Sequence, residues 1–331
     1  SFGVDPGVIT AAFVAEKMNL PFQCSYKSAC ILQDKSLFRQ FLKDNNFNVP
    51  NAKGYSSKED ALADTDSFNW PIIVKPVDSA GSKGVTRVDL KEQLPSAIEY
   101  ALSESHNGHF IIEDFLEKEG YSSDCDSFTV DGELVFCSFN DQHFDPKAIN
   151  PYTPAAFSWP STMPQWAQEE LRSELQRLMT LLNVKTGVYN IETRLCKNGK
   201  PYIMELSPRG GGNRLSEMMK YVSGQDLIDS CVRAAVGDPI DEIHRPIYDG
   251  YWAEIILHSE CDGVFQSIEI DKTVEERFLI EKDIWVKAGE KVQGFTGANT
   301  TIGTLVLRFN TNEEIICCLS NQETWLKIIV L

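Results

Sequence analysis

Two short apolar segments, each ending in a glutamate, constrain this chain more than any other feature of its sequence. Tyr189-Asn190-Ile191-Glu192 and Tyr202-Ile203-Met204-Glu205 read as strands, and the turn Lys197-Asn198-Gly199-Lys200 joins them as an antiparallel pair. Side chains alternate between the faces of such a pair, so Glu192 and Glu205 can face each other and share one cation. Two carboxylates side by side among apolar neighbours repel unless a metal ion or a basic group lies with them. The plainer alternative is a surface hairpin with two solvated glutamates. The next residues favour the first reading. In Ser207-Pro208-Arg209-Gly210-Gly211-Gly212-Asn213, three glycines precede a helix for which Asn213 is a candidate N-cap, an arrangement that makes an anion-binding nest. Arg209 adds a fixed cation four residues past Glu205. Flexible linkers also contain glycine runs, but seldom directly after a strand of this kind.

A second charged residue sits in an apolar strand upstream. Trp70-Pro71 opens Ile72-Ile73-Val74-Lys75, which Pro76 ends, and a lysine there is costly to bury without an anionic partner. The stretch Asp78-Ser79-Ala80-Gly81-Ser82-Lys83-Gly84 follows and can aim consecutive amides at a phosphate, although it lacks the spacing of a Walker A loop. By itself such a loop is more often an ordinary hairpin connection; Lys75 at the end of the preceding strand is what favours the phosphate reading. Ile111-Ile112-Glu113-Asp114-Phe115-Leu116 is an apolar strand that runs into an acid and an irregular stretch. That suits a hinge whose backbone meets a purine edge.

Around these segments, helix and strand signals alternate in the manner of an α/β or α+β protein. Residues 7–19 and 35–46 read as helices, the second with Leu37, Phe41 and Leu42 on one face. Strands are expected at 85–88 and 109–113 around a helix at 91–105. Segments 125–130 and 133–139 flank Asp131-Gly132 as a hairpin. Residues 141–163, rich in Pro, Asn and His, read as ordered loop. Helix 164–182 places Leu171, Leu175, Leu178 and Leu182 on its core face, and the last ~85 residues read mostly as strand, punctuated by glycines.

Charge narrows the partners. The net charge is −17 over 331 residues, with no basic face, so a nucleic-acid backbone would be repelled. Any phosphate must be held by a few local cations, amides and metal. No apolar run approaches a membrane span and no signal peptide is visible. The nine cysteines lack metal-ligand spacing and read as reduced thiols, which points to a cytoplasmic protein. The chain begins at Ser1 without an initiator Met, as if a segment preceded it.

Taken in order, Gln33-Asp34-Lys35, Val74-Lys75-Pro76, the loop 78–84, Glu113–Leu116, Glu192 and Glu205-Leu206-Ser207-Pro208-Arg209 resemble the ATP-grasp superfamily. The likeness is greatest to its branch with biotin carboxylase, carbamoyl-phosphate synthase large chains and L-amino-acid ligases. The resemblance implies an α+β ATP-grasp fold of two lobes gripping ATP. Residues 1–34 would be the remnant of a preceding α/β domain, 35–245 the ATP-grasp domain with a small lid lobe at about 68–116, and 246–331 a β-rich C-terminal region. It further implies an ADP-forming carboxylate–amine ligase that works through an acyl phosphate, with ATP and Mg2+ (or Mn2+) as cofactors. Its partners would be a small carboxylate and an amine, an amino acid among the acids, and it could assemble as a homodimer.

By the same resemblance, Lys35 and Lys75 would hold the α- and β-phosphates. Ser79, Gly81, Ser82 and Gly84 would close over the γ-phosphate. Glu113 would accept from the adenine amino group, Phe115 and Leu116 would read the ring edge, and Glu119 would take the ribose. Glu192 and Glu205 would bind magnesium, and Arg209 would stabilise the acyl phosphate. Ser207 stands where the family commonly has an asparagine ligand, and a hydroxyl is the poorer one. His143, Asp145, Gly211, Asn213 and Arg214 are candidate substrate contacts, with Ser1 and Asp5 ahead of the first helix. Two other readings use the same residues: a bicarbonate-phosphorylating carboxylase or carbamoyl-phosphate synthase-like enzyme, and a nucleotide-binding module without catalysis.

Overall fold

The computed structural model describes residues 2–331; Ser1 lies outside the described residues. Three helices lead the chain: α1 (Val8–Met18), α2 (Tyr26–Gln33) and α3 (Lys35–Asp44). Asp34 separates the last two because its carboxylate caps α3, accepting from the amides of Ser36 at 2.8 Å and Leu37 at 2.9 Å. The buried face of α3 is Phe38, Arg39 and Leu42; of the expected Leu37, Phe41 and Leu42, the last is in the core and Phe41 packs against it, while Leu37 is 49% exposed and Phe38 takes its place.

The small lobe follows as β1 (Ala52–Tyr55), α4 (Lys58–Ala63), β2 (Ile72–Pro76), β3 (Thr86–Val88), α5 (Leu94–Ser103) and β4 (Phe110–Asp114). Its strands form an antiparallel sheet in the order β1-β4-β2-β3. Alternation decides what each face does. Tyr55, Ile72, Val74, Phe110 and Ile112 pack with Leu94, Ile98 and Ala101 of α5 in one core. Ile73, Lys75 and Glu113 are left on the opposite face, where they border a cleft against the rest of the molecule.

The large sheet begins with β5 (Lys118–Val130) and β6 (Glu133–Cys137), then β7 (Asp141–Phe144) and β8 (Pro154–Trp159). The Asp131-Gly132 hairpin is present, with φ of 50° and 84° at its two turn residues. The expectation of loop across 141–163 is corrected: β7 and β8 are central strands, and although Gln142 Oε1 and Trp159 Nε1 have no partner among the described residues, other polar groups there are satisfied internally. Asp141, for example, accepts from Thr162 Oγ1 at 2.6 Å and Ser161 Oγ at 2.8 Å. Next come α6 (Gln165–Leu181), β9 (Gly187–Cys196), β10 (Pro201–Ser207), α7 (Leu215–Ser223), α8 (Leu227–Val236) and β11 (Tyr251–Leu257). Leu171, Leu175, Leu178 and Leu182 are all buried against the sheet, each contributing about 1.5–3 kcal/mol of apolar transfer.

The chain closes with β12 (Gly263–Ile270), α9 (Lys272–Phe278), β13 (Leu279–Ile284), β14 (Lys291–Val292), β15 (Gly303–Phe309), α10 (Asn312–Ser320), α11 (Gln322–Trp325) and β16 (Leu326–Val330). The reading of this region as mostly strand therefore missed three helices. Strands β11, β15 and β13 are not separate from what precedes them. They extend a single nine-stranded sheet in the order β10-β9-β5-β7-β8-β11-β15-β13, with β6 paired to β5.

Candidate active site

Register in the large sheet aligns the polar residues that line the cleft. Glu205 lies opposite Glu192, and Glu192 opposite Asp124, so three carboxylates cross β10, β9 and β5 in one row. Two residues along, on the same face, Ser207, Asn190 and Asp126 form the next row; on the other side, Arg194 opposes Ser122 and Ser122 opposes Gln142. This face and the small lobe enclose a cleft of about 540 Å³.

Two lysines enter from the small-lobe side. Lys75 is buried and pairs with Glu113 at 2.9 Å; Arg39, from α3, pairs with the other oxygen of Glu113 at 2.8 Å. Burial opposes charge on Glu113, but Arg39 and Lys75 outweigh it and hold the carboxyl at about 2, while burial lowers the Lys75 ammonium. Both oxygens that were expected to meet an adenine amino group are thus engaged with the protein's own cations. Lys35, the first residue of α3, reaches the Ser79 carbonyl at 3.0 Å and Glu205 at 3.3 Å. The glycine loop is docked across the cleft: Ser82 Oγ donates to the Tyr152 carbonyl at 3.0 Å, and Asn150 Nδ2 donates to the carbonyls of Ser82 at 3.3 Å and Thr296 at 3.2 Å.

On the opposite wall, Asp5 grips Arg209 with both oxygens, accepting from Nε at 2.9 Å and Nη2 at 2.7 Å. Burial would raise the Asp5 carboxyl, yet Arg209 holds it below the usual range. Asp124 has the reverse balance. Burial and the neighbouring Glu192 push its carboxyl up to about 7, although Asn190 Nδ2 donates to it at 2.8 Å. Arg194 spans Glu192 at 3.3 Å, Ser122 Oγ at 3.1 Å and the Leu116 carbonyl at 3.4 Å, linking the hinge to the carboxylate row.

Lys35, Lys75, Ser79, Gly81, Ser82, Glu113, Phe115, Leu116, Glu192, Glu205, Arg209 and Asn213 all line this one cleft. Other candidates lie elsewhere. Gly84 packs at φ 72° with no room for a Cβ, which would sit 2.9 Å from the Pro76 ring. Glu119 is exposed in the irregular start of β5, where the register with β9 shifts between Lys118 and Ser122. Ser207 is buried, donating to Asp5 at 2.7 Å and accepting from Gln33 at 2.9 Å. His143 faces the other side of the sheet, sharing a 2.8 Å hydrogen bond with Ser158; burial, with Lys118 nearby, pushes it down to about 4. Asp145 pairs with His258 at 3.1 Å. Arg214 is held by Glu217, by Glu281 at 2.6 Å and by Thr304 at 3.0 Å.

The nest at the start of α7 is also corrected. The Gly211 amide donates to Asp126 at 2.8 Å and Ser216 donates to the other oxygen of Asp126, so this helix start already holds an anion of the protein's own. Asn213 is not the N-cap. Arg214 occupies that position with φ 61° and no side-chain cap bond.

Sequence reasoning did not single out Arg39, Asp124, Asn190, Arg194 or Gln142, all of which border the cleft. Arg39 follows Lys35 by one helical turn, and Asn190 and Arg194 flank Glu192 at strand spacing, so these three were within reach. Among the described residues, no three acidic, histidine or cysteine side chains converge tightly enough to enclose a metal by themselves. Glu192 and Glu205 fit magnesium in the manner of sites that take two carboxylates and leave the remaining positions to phosphate and water.

Residues 68–217 match the ATP-grasp domain family, and the chain as a whole has the ATP-grasp fold. The C-terminal section of the carbamoyl phosphate synthase large chain of Aquifex aeolicus is 24% identical over 220 residues, covering 66% of this chain and 39% of that protein; the chain thus spans about two-fifths of its length. The L-amino acid ligase of Bacillus licheniformis superimposes with a TM-score of 0.82 at 20% identity, over 99% of this chain and 80% of that one. The biotin carboxylase domain of Hydrogenobacter thermophilus 2-oxoglutarate carboxylase, solved with MgADP and bicarbonate, gives 0.73 at 16% identity over 97% and 72%.

Proposed function

We propose that this protein is an ADP-forming ligase that phosphorylates a small carboxylate with ATP and couples it to an amine. The observation that carries the reading is the convergence of Lys35, Lys75, the docked loop 79–82, opposed Glu192 and Glu205, and Arg209 on one cleft. A carboxylate is a poor acyl donor, and phosphorylation supplies its leaving group. Lys35 and Lys75 would fix the polyphosphate, and the backbone of Asp114–Leu116 would take the base edge. Glu192 and Glu205 would hold magnesium, which when bound neutralises phosphate charge. Arg209, oriented by Asp5, has N–H groups left over for charge that develops at the acyl phosphate. The loop held by Ser82 and Asn150 would keep water from that intermediate.

Hydroxylamine trapping tests the reading. With the cognate acid, ATP and magnesium, a hydroxamate should accumulate, and Arg209→Ala should lower its rate about 100- to 1,000-fold with little change in nucleotide affinity. If no acid in a broad panel gave hydroxamate while bicarbonate alone supported full ATP turnover, the carboxylase reading would replace this one. Nucleotide binding without any acid-dependent ADP release would leave a non-catalytic module.

A further inference from the structure

The segment that leads from β10 to α7 carries a conformation its sequence resists. The Leu215 amide donates to the Gly212 carbonyl at 3.1 Å, closing a turn whose two central residues, Asn213 and Arg214, have φ of 50° and 61°. Turns of that hand favour asparagine at the first central position and glycine at the second. Asn213 is therefore at home. Arg214 is not, because a left-handed backbone costs a residue with a Cβ about tenfold in population. The glycine run 210–212 ends two residues short of it. What holds Arg214 there is its side chain. Nη1 donates to Thr304 of β15 at 3.0 Å and pairs with Glu281 of β13 at 2.6 Å, while Nε donates to Glu217 of α7. Glu281 is fixed in turn by the Tyr221 hydroxyl. Glu254 lies in the same row of the sheet as Glu281, but burial pushes its carboxyl well up, so it pulls little on the guanidinium. Asp126 anchors the segment on either side of the turn, at Gly211 and Ser216; the Arg214 clamp fixes the turn itself. Gly212 and Asn213 line the cleft, as Arg209 does.

We propose that Arg214 is a positioning residue for the amine-coupling step, acting through Gly212 and Asn213. Its clamp onto β13 and β15 holds these two in the cleft wall, three and four residues past Arg209, and so sets where an amine meets the acyl phosphate. Strained backbone of this kind persists only where its surroundings over-determine it, and here strands of the C-terminal region do so. The proposal rests on the ligase reading.

Arg214→Ala and Arg214→Gly separate the clamp from the backbone it holds. Both lose the contacts to Glu217, Glu281 and Thr304, but only glycine accepts the positive φ freely. Hydroxylamine is the amine probe, with MgATP and the proteinogenic amino acids as the acids. Arg214→Ala should raise the KM for hydroxylamine about tenfold, the population lost when the strained turn is released, and leave the ATP dissociation constant unchanged. Arg214→Gly should return that KM to within about threefold of the parent. Thr304→Val, which removes a single contact, should raise it about threefold and serves if the alanine variant does not fold. In thermal unfolding, Arg214→Ala should melt below Arg214→Gly. Equal hydroxylamine KM values in the two Arg214 variants would overturn the proposal. So would a parent-like KM in Arg214→Ala with only its midpoint lowered, which would make Arg214 purely structural. A parent that gave no hydroxamate with any acid would overturn the ligase reading and this role with it, a result visible before any variant is compared.

Discussion

Replacing Glu113 by glutamine separates two roles that this residue could have. In the structure its carboxylate is 1% exposed and bridges Arg39 and Lys75 at 2.8 and 2.9 Å, the only anion between two buried cations. Glutamine has nearly the same shape but no charge, so it would leave those cations uncompensated. The cost can be bounded in two ways. Truncating one partner of a buried pair typically costs about 3–5 kcal/mol. Independently, the fall of the Glu113 carboxyl from 4.5 to about 2 corresponds to about 3 kcal/mol. Glu113→Gln should therefore destabilise the protein by about 3 kcal/mol, lowering the thermal midpoint by roughly 6 °C on the scale of large domains. The sign with pH follows from the lowered value. The contribution is present above pH 4.5 and is lost as pH falls through about 2, so the deficit of the variant should be full at pH 7 and shrink in acid. Thermal unfolding from pH 7 to pH 3, with nucleotide affinity measured by calorimetry, provides the assay. A variant that melts with the parent but loses ATP affinity would mean that Glu113 is a nucleotide contact rather than the counter-ion of Arg39 and Lys75.

Two further substitutions probe the cleft. Asn150→Ala removes the donor to the Ser82 carbonyl, the one of its two bonds that reaches the loop, worth about 1 kcal/mol, which would raise the open fraction of the loop about fivefold; ADP released per amide formed should rise, and an unchanged ratio would mean the loop is held some other way. Glu205→Gln should raise the magnesium concentration needed for half-maximal ADP formation at least about tenfold without lowering the thermal midpoint, and an unshifted magnesium curve would break the pairing of Glu192 with Glu205.

What was legible in the sequence and what was not divides along strand parity. The opposition of Glu192 and Glu205 expected from the Asn198-Gly199 turn is present, but two irregularities produce it: near the turn Pro201 pairs with Leu195 and Ile203 with Thr193, and a bulge between Ile203 and Glu205 shifts the pairing by one residue to bring Glu205 opposite Glu192. The Leu171, Leu175, Leu178 and Leu182 stripe was legible because its period is intrinsic to the helix. Residues 141–163 had no such marker. Their polar composition resembles loop, and only long-range pairing with β5 and β11 makes them strand. Once they are strand, parity decides the contacts. His143 and Asp145 turn away from the cleft, while Gln142 and Phe144 line it. The residue types drew attention to the histidine; the geometry put its neighbour in the site. The α7 start misled for a different reason: glycines signal that an anion can be approached, but not that Asp126, far off in sequence, already fills the place.

The cleft also resolves how so acidic a chain could handle a polyanion. Lys35, Arg39, Lys75, Arg194 and Arg209 border it and are each paired with a carboxylate, while Lys83, exposed in the glycine loop, makes no ion pair among the described residues, so the cleft is not a bare cationic funnel. The pairs fall into two kinds. Glu113 with Arg39 and Lys75 is buried, Asp5 with Arg209 is partly buried, and all are close at 2.7–2.9 Å. Lys35 with Glu205, and Arg194 with Glu192, are longer at 3.3 Å, and their carboxylates are 39% and 30% exposed. The loose pairs involve the two glutamates that face each other, and they are the ones an incoming phosphate and its cation can exchange at least cost. Phosphate arriving at Lys35 would release Glu205 to the cation that accompanies it, so charge is swapped between partners rather than newly buried. The tight pairs would stay fixed through that exchange, keeping Lys75 and Arg209 aimed while the loose pairs rearrange.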